Sequence, residues 1–191
     1  MIRAFVALPL PEPVRQKLNL LQYLLPLPRR VEPEYLHLTL TFLGELPGPV
    51  LEDVHHALEA LRAPQFDMRL LGVGTFGAPV PRLVFAEVAP CPPLEHLQRK
   101  VETAVRRAGV ALERRRFMPH VTLARLDPRR SGAEAERARL AAAIAGNNDF
   151  SVGPFRVEGF ALWRSHLGSG GAHYEELAQY PLLPAATGNG A

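Results

Sequence analysis

Two short stretches of this chain carry residues suited to chemistry, His37-Leu38-Thr39-Leu40 and His120-Val121-Thr122-Leu123. Side chains alternate along a strand, so each His shares a face with its Thr while the apolar residues take the other. An unperturbed imidazole titrates near pH ~6.5 and can act as base or acid. A neutral and a protonated histidine together can take a proton from a nucleophile and give one to a leaving group. Threonine hydroxyls can donate to non-bridging phosphate oxygens. Arg125, five residues past His120, adds positive charge where a transition state gains negative charge. Such a set suits cleavage of a phosphodiester, because phosphoryl transfer is mostly positioning and electrostatics.

One His-x-Thr on a half-buried strand is ordinary surface. Two copies in matched strand contexts point to function. A metal site is the rival, since histidine is a common ligand. Neither motif carries a second His, Cys or carboxylate at ligand spacing; Glu45 and Asp127 are the nearest acids. No metal and no cofactor are therefore expected. His55, His56 and His96 fall within helical stretches, where solvated positions are the default. His166 and His173 flank Leu167-Gly168-Ser169-Gly170-Gly171, which reads as a hairpin loop. These glycines do not lead from a strand into a helix, so they make neither a dinucleotide fingerprint nor a P-loop.

The elements that must position the motifs follow in order. Ile2 to Leu8 reads as a buried strand. Pro11 and Pro13 open a helix whose stripe is Val14, Leu18, Leu21 and Leu25, stopped by Pro26 and Pro28. The first motif strand ends at Gly44, and Pro49 opens a helix with Leu51, Val54, Leu58 and Leu61 inward. Phe66 to Phe76 and Leu83 to Ala89 read as strands. A third helix starts at Pro92 and Pro93 and stops at Gly109. After the second motif strand, Ser131-Gly132-Ala133-Glu134 has capping-box spacing and opens an Ala-rich helix ending near Gly146. Phe150 to Glu158, Phe160 to Arg164 and Tyr174 to Tyr180 complete the strands, and 185–191 reads as a disordered tail. Helix, motif strand, helix and strands occur twice, which implies two related lobes with the histidines opposed across a groove.

Composition bounds the rest. The chain has 191 residues, 47% hydrophobic, enough for one domain. Cys91 is the single cysteine, so no internal disulfide can form and a reducing compartment is expected. The N-terminus is too short and proline-broken for a signal peptide, and no apolar run reaches the ~20 residues of a membrane span. A cytoplasmic, membrane-free monomer is the expectation. Net charge is +3 and nearly all basic residues are arginine, which suits bidentate phosphate contacts. Arg29, Arg30 and the run Arg114 to Arg116 flank the motif strands and are expected at the groove mouth, on RNA.

Two His-x-Thr motifs in a chain of this length resemble the two-histidine phosphoesterase superfamily. The match is closer to the bacterial and archaeal RNA 2',3'-cyclic phosphodiesterases, also called 2'-5' RNA ligases. It covers nearly the whole chain and rests on Leu36 to Gly44 and Arg116 to Arg125, with support from Arg3 to Leu8 and from Arg164 to Tyr174. The resemblance implies an α+β, bilobal fold over 1–184, two pseudo-symmetric lobes each with a mainly antiparallel sheet lining the central groove, helices outside. It implies hydrolysis of an RNA 2',3'-cyclic phosphate end to a 2'-phosphomonoester without metal or nucleotide cofactor, and similarity to enzymes that join tRNA halves 2'-5'. His37 is then the general acid toward O3' and His120 the base on water. Thr39, Thr122 and Arg125 hold the phosphate, and Phe42 stacks on the terminal base. Two alternatives stand beside it: an RNA- or nucleotide-binding module without turnover, and a phosphodiesterase of small cyclic nucleotides. Intact histidines favour an enzyme, since binding alone needs no acid–base pair.

Overall fold

The structure, a computed structural model, describes residues 1–127, 134–168 and 171–184. The Ser131-to-Glu134 capping box, the tip residues Ser169 and Gly170 and the 185–191 tail lie outside the described residues, wholly or in part.

Among the described residues eight strands and four α-helices follow in the order β1 Ile2–Pro9, α1 Glu12–Leu24, β2 His37–Leu46, α2 Gly48–Glu59, β3 Phe66–Phe76, β4 Leu83–Val88, α3 Pro92–Arg107, β5 His120–Arg125, α4 Glu134–Ala145, β6 Ser151–Val157, β7 Gly159–Gly168 and β8 Gly171–Pro181. Prolines at the first helical positions start α1, α2 and α3, where a missing N–H costs nothing. Gly109, at φ +86°, turns the chain out of α3. The β7–β8 hairpin is longer than its apolar run suggested. His166 and His173 are register mates within it, and pairing continues to Gly168 and Gly171. Cross-strand polar and aromatic pairs sustain this ladder without a buried face.

The strands make one hydrogen-bonded sheet in the order β6-β3-β4-β5-β2-β1-β7-β8, antiparallel at every pairing. The fold is α+β. The two motif strands are its central pair, joined in register only at Leu38↔Val121. Four strands stand on each side of this seam. They are not the first and second halves of the chain: β7 and β8 return to pair outside β1, so the N-terminal motif sits among both chain ends.

The sheet has two different faces. Ala4, Val6, Leu8, Leu38, Leu40, Val84, Val121 and Leu123 join the inner faces of α1, α2 and α3 in one core. Phe5, Ala7, Phe85 and Ala161 are equally buried but stand outside that core, on the face away from the helices. Helices α1 to α3 each contribute three or more buried core side chains, whereas α4 gives only Leu140. Truncating a fully buried leucine such as Leu38 costs on the order of 2–5 kcal/mol, because the cavity adds to the lost transfer energy.

Candidate active site

The central pair fixes the motifs against each other. Continued one residue either way, the Leu38↔Val121 register sets His37 opposite Thr122 and Thr39 opposite His120. All four point away from the helices, because Leu38 and Val121 are fully buried among them. Opposed side chains on such a pair have Cβ atoms roughly 5 Å apart. The two motifs thus interleave into one four-residue patch.

Both imidazoles are held the same way. His37 Nδ1–H donates to the Tyr35 carbonyl at 2.6 Å, and His120 Nδ1–H donates to the Met118 carbonyl at 2.7 Å. A carbonyl can only accept, so each ring carries its proton on Nδ1 and leaves Nε2 with a free lone pair. A carbonyl two residues upstream serves in both motifs.

Each motif strand then carries a β-bulge. On β2 the register against β1 shifts between Val6↔Thr41 and Ala7↔Thr39; on β5 the register against β4 shifts between Val84↔Ala124 and Phe85↔Thr122. The extra residue reverses the alternation beyond it. Strict alternation puts the fifth residue after each histidine on the helix side. The bulges instead bring Phe42 beside Phe5, ring centroids 6.2 Å apart, and Arg125 beside Leu83 on the motif face. Phe42 remains 63% exposed there. The same shift turns Thr41 away, and it is buried beside Val6.

The two imidazoles share electrostatic surroundings. Burial pushes the His37 pKa down to about 4, and the Arg125 guanidinium and His120 add to the depression against the opposing Tyr35 hydrogen bond. Burial also lowers His120, again with Arg125 adding to it and the Met118 bond opposing. One guanidinium therefore acts on both rings, which an arginine outside the patch could not do.

Around His37 the walls are aromatic. Phe5 stacks on its ring at 4.9 Å, and Tyr174 meets it edge-on at 5.2 Å. The hairpin residue His173 hydrogen-bonds the Tyr35 hydroxyl. In the sequence His173 reads as part of a hairpin loop and nothing marks Tyr35 or Phe5, because no local pattern links residues so far apart. Around His120 stand Phe76, edge-on at 5.0 Å, and Phe85, tilted at 5.3 Å. The basic runs separate. Arg29 and Arg30 lie against β5, while Arg114 to Arg116 share a surface depression with Glu102, Arg106 and Glu113 beside the end of α3. Among the described residues, the cluster able to hold a metal is His55, His56 and Glu59 on α2, not the motif histidines. His55 is not simply solvated, since its Nδ1 hydrogen-bonds the Tyr180 hydroxyl at 2.9 Å.

Residues 10–169 match the family model of the 2'-5' RNA ligase superfamily. A Thermus thermophilus protein named RNA 2',3'-cyclic phosphodiesterase is 36% identical over 95% of this chain and 90% of its own length. A Geobacillus stearothermophilus protein of the same name is 31% identical over 96% of this chain, which spans only 58% of that relative's length. The crystal structure of E. coli LigT complexed with 3'-AMP superposes with a TM-score of 0.75 at 25% identity, covering 95% of this chain and 98% of that one. With its family model matched over most of its length and its sheet shared with LigT, the chain belongs to the 2'-5' RNA ligase superfamily.

Proposed function

We propose that the chain hydrolyses the 2',3'-cyclic phosphate end of RNA to a 2'-phosphomonoester, the activity for which its relatives are named. The observation that carries this is the pair of carbonyl-anchored imidazoles with free Nε2 atoms on one face, and Arg125 acting on both. An inert binding patch has no use for two tautomer-fixed histidines.

In the hydrolysis, water attacks phosphorus, the new P–O bond forms and the P–O3' bond breaks. His120 Nε2 takes the proton of the water, and His37 gives one to O3'. Thr39, Thr122 and Arg125 hold the non-bridging oxygens, whose charge grows in the transition state. Phe42 offers its exposed ring to the terminal base. The low pKa of His37 makes its imidazolium a strong acid but sparse in the free enzyme. The bound phosphate anion restores that proton. With an RNA 5'-hydroxyl in place of water, the same displacement makes a 2'-5' linkage, and tRNA halves are substrates of that class. The working unit in this reading is a cytoplasmic monomer built as two lobes across the β2–β5 seam; among the described residues no helix is long and apolar enough to cross a membrane.

The test is incubation of the purified protein, in excess chelator, with an oligonucleotide ending in a 2',3'-cyclic phosphate. The expected product carries a 2'-phosphate. A 3'-phosphate product would overturn the assignment of the leaving oxygen. Loss of activity in chelator, restored by a divalent ion, would move the enzyme to metal chemistry.

A further inference from the structure

Strand β2 leaves β5 beyond Leu38↔Val121, and the segment before it takes its place. Arg30 bridges Ala124 in antiparallel fashion, Val31 N–H donates to the Leu123 carbonyl at 2.9 Å, and Arg125 N–H donates to the Arg29 carbonyl at 3.3 Å. Gln22, fully buried in α1, fastens this piece by donating to the Val31 carbonyl at 2.8 Å and the Leu123 carbonyl at 2.7 Å. The register sets Arg29 directly opposite Arg125. Ala124 pairs with Val84 on the helix side, so Arg29 and Arg125 share the face that bears His120 and Thr122.

Two like charges directly opposed across strands destabilise a sheet. Among the described residues neither arginine is in an ion pair. Other described arginines, Arg3 and Arg82 among them, are also outside ion pairs, so what sets this couple apart is that its two charges stand directly opposed. An opposed, unpaired couple on a rigidly mounted bridge is what a polyanion needs and what a folded surface alone does not. Arg30, opposite Ala124, lies on the helix side instead, 4.3 Å over the ring of Tyr23 in α1, and takes no part in this couple.

We propose that Arg29 forms a second phosphate site, taking the phosphodiester next to the cyclic one in the RNA strand. The inference rests on the cyclic phosphodiesterase reading and deepens it. It makes an oligonucleotide end, rather than a free cyclic nucleotide, the preferred substrate.

The experiment compares three substrates: a nucleoside 2',3'-cyclic phosphate, a dinucleotide ending in one, and the same dinucleotide with an uncharged methylphosphonate linkage. Arg29→Ala is exposed and leaves the Arg29 carbonyl in place, so the bridge survives it. On the natural dinucleotide KM should rise about tenfold with kcat kept, the scale of one charge-assisted contact. The salt dependence should flatten by about one in slope. The methylphosphonate should cost the native enzyme a similar factor and cost Arg29→Ala nothing further. An equal loss on the nucleoside cyclic phosphate, or a variant that still senses the methylphosphonate, would overturn the site. If the native protein hydrolysed none of the three, the cyclic phosphodiesterase reading would fall. Titration binding of the natural and methylphosphonate dinucleotides would then judge Arg29 separately, by the same difference.

Discussion

His37 and His120 are the same motif in two different surroundings. His37 lies under a stack of Phe5 and against the edge of Tyr174, and the turn that supplies its anchoring carbonyl is gripped by the C-terminal hairpin through Tyr35 and His173. His120 leans on Phe76 and Phe85, and its anchor is the carbonyl of Met118, whose side chain is 54% exposed. The position five residues on differs as well: Phe42 on one side, Arg125 on the other. The backbone device is duplicated and the dielectric is not. Two chemically identical groups can take opposite roles in one reaction only if their surroundings separate them. Burial bears harder on His37, so in the free enzyme the shared proton favours His120, and the acid role of His37 depends on the bound phosphate anion drawing the proton to it.

The sharpest way to break this comparison is to remove each ring in turn. His37→Ala and His120→Ala should each lower kcat by at least ~10²-fold, the scale of a general acid or base. The double variant should lose far less than the product of the single losses, because the two act as a unit. A leaving alcohol of low pKa needs little protonation. It should rescue His37→Ala and leave His120→Ala impaired. Rescue of His120→Ala instead would exchange the roles, and near-full activity in both single variants would remove the mechanism.

A smaller effect separates the histidines by pH. Burial depresses both in the free enzyme, His37 to about 4 and His120 below its ordinary 6.5. The productive pair holds one proton, and free enzyme sheds it as pH rises through those lowered values. The bell for kcat/KM should therefore fall on its alkaline side below about pH 6.5, since it reports free-enzyme groups. The kcat bell should lie at higher pH, because the bound phosphate raises both rings. A kcat/KM profile flat to well above neutral would contradict the burial. Stability gives a reading without turnover. Between about pH 6.5 and 4 the unfolded chain binds a proton that folded His37 refuses, so stability falls as pH falls. His37→Asn should flatten that slope in thermal melts from about pH 7 down to 4.5.

How much of this was legible in the sequence follows from what repeats and what does not. The motif strands and helices α1 to α4 follow from periodicity, proline placement and cap spacing, which are local, while the α+β class is what the family resemblance implies. The pairing of β1 with β7 is not local, so the halves of the sheet could not be read from the order of the chain. Phe42 and Arg125 sit an odd number of residues from their histidines, and alternation alone puts them on the wrong face. Only the bulges, which no residue type announces here, bring them round. The grip of His173 on Tyr35 joins residues 138 apart, and its parts look like hairpin and turn until the fold assembles them.

That grip yields the finest test of the comparison. Tyr35 does two things: its carbonyl fixes the His37 tautomer, and its side chain ties the carbonyl's turn to the hairpin through His173 and the edge of Tyr174. Tyr35→Phe removes only the hydroxyl, keeping the carbonyl and the ring. If the hairpin bond steadies the anchor, the turn should loosen and the His37 Nδ1–H to carbonyl bond weaken. A loosened imidazole samples the Nε2–H tautomer and other ring orientations, so Nε2 is less often aimed at O3'. The expected kinetic cost is a several-fold fall in kcat at unchanged KM, below the 10²-fold scale of losing the ring. Nitrogen chemical shifts of the two imidazoles should show mixed tautomers at His37 and an unchanged Nδ1–H form at His120, whose Met118 anchor has no part in the hairpin. His173→Ala should do the same, and combining it with Tyr35→Phe should add little, because both cut one bond. Equal shifts at both histidines would mean a general loosening of the fold. No shift at His37 would mean that the Tyr35 carbonyl holds its ring without help from the hairpin.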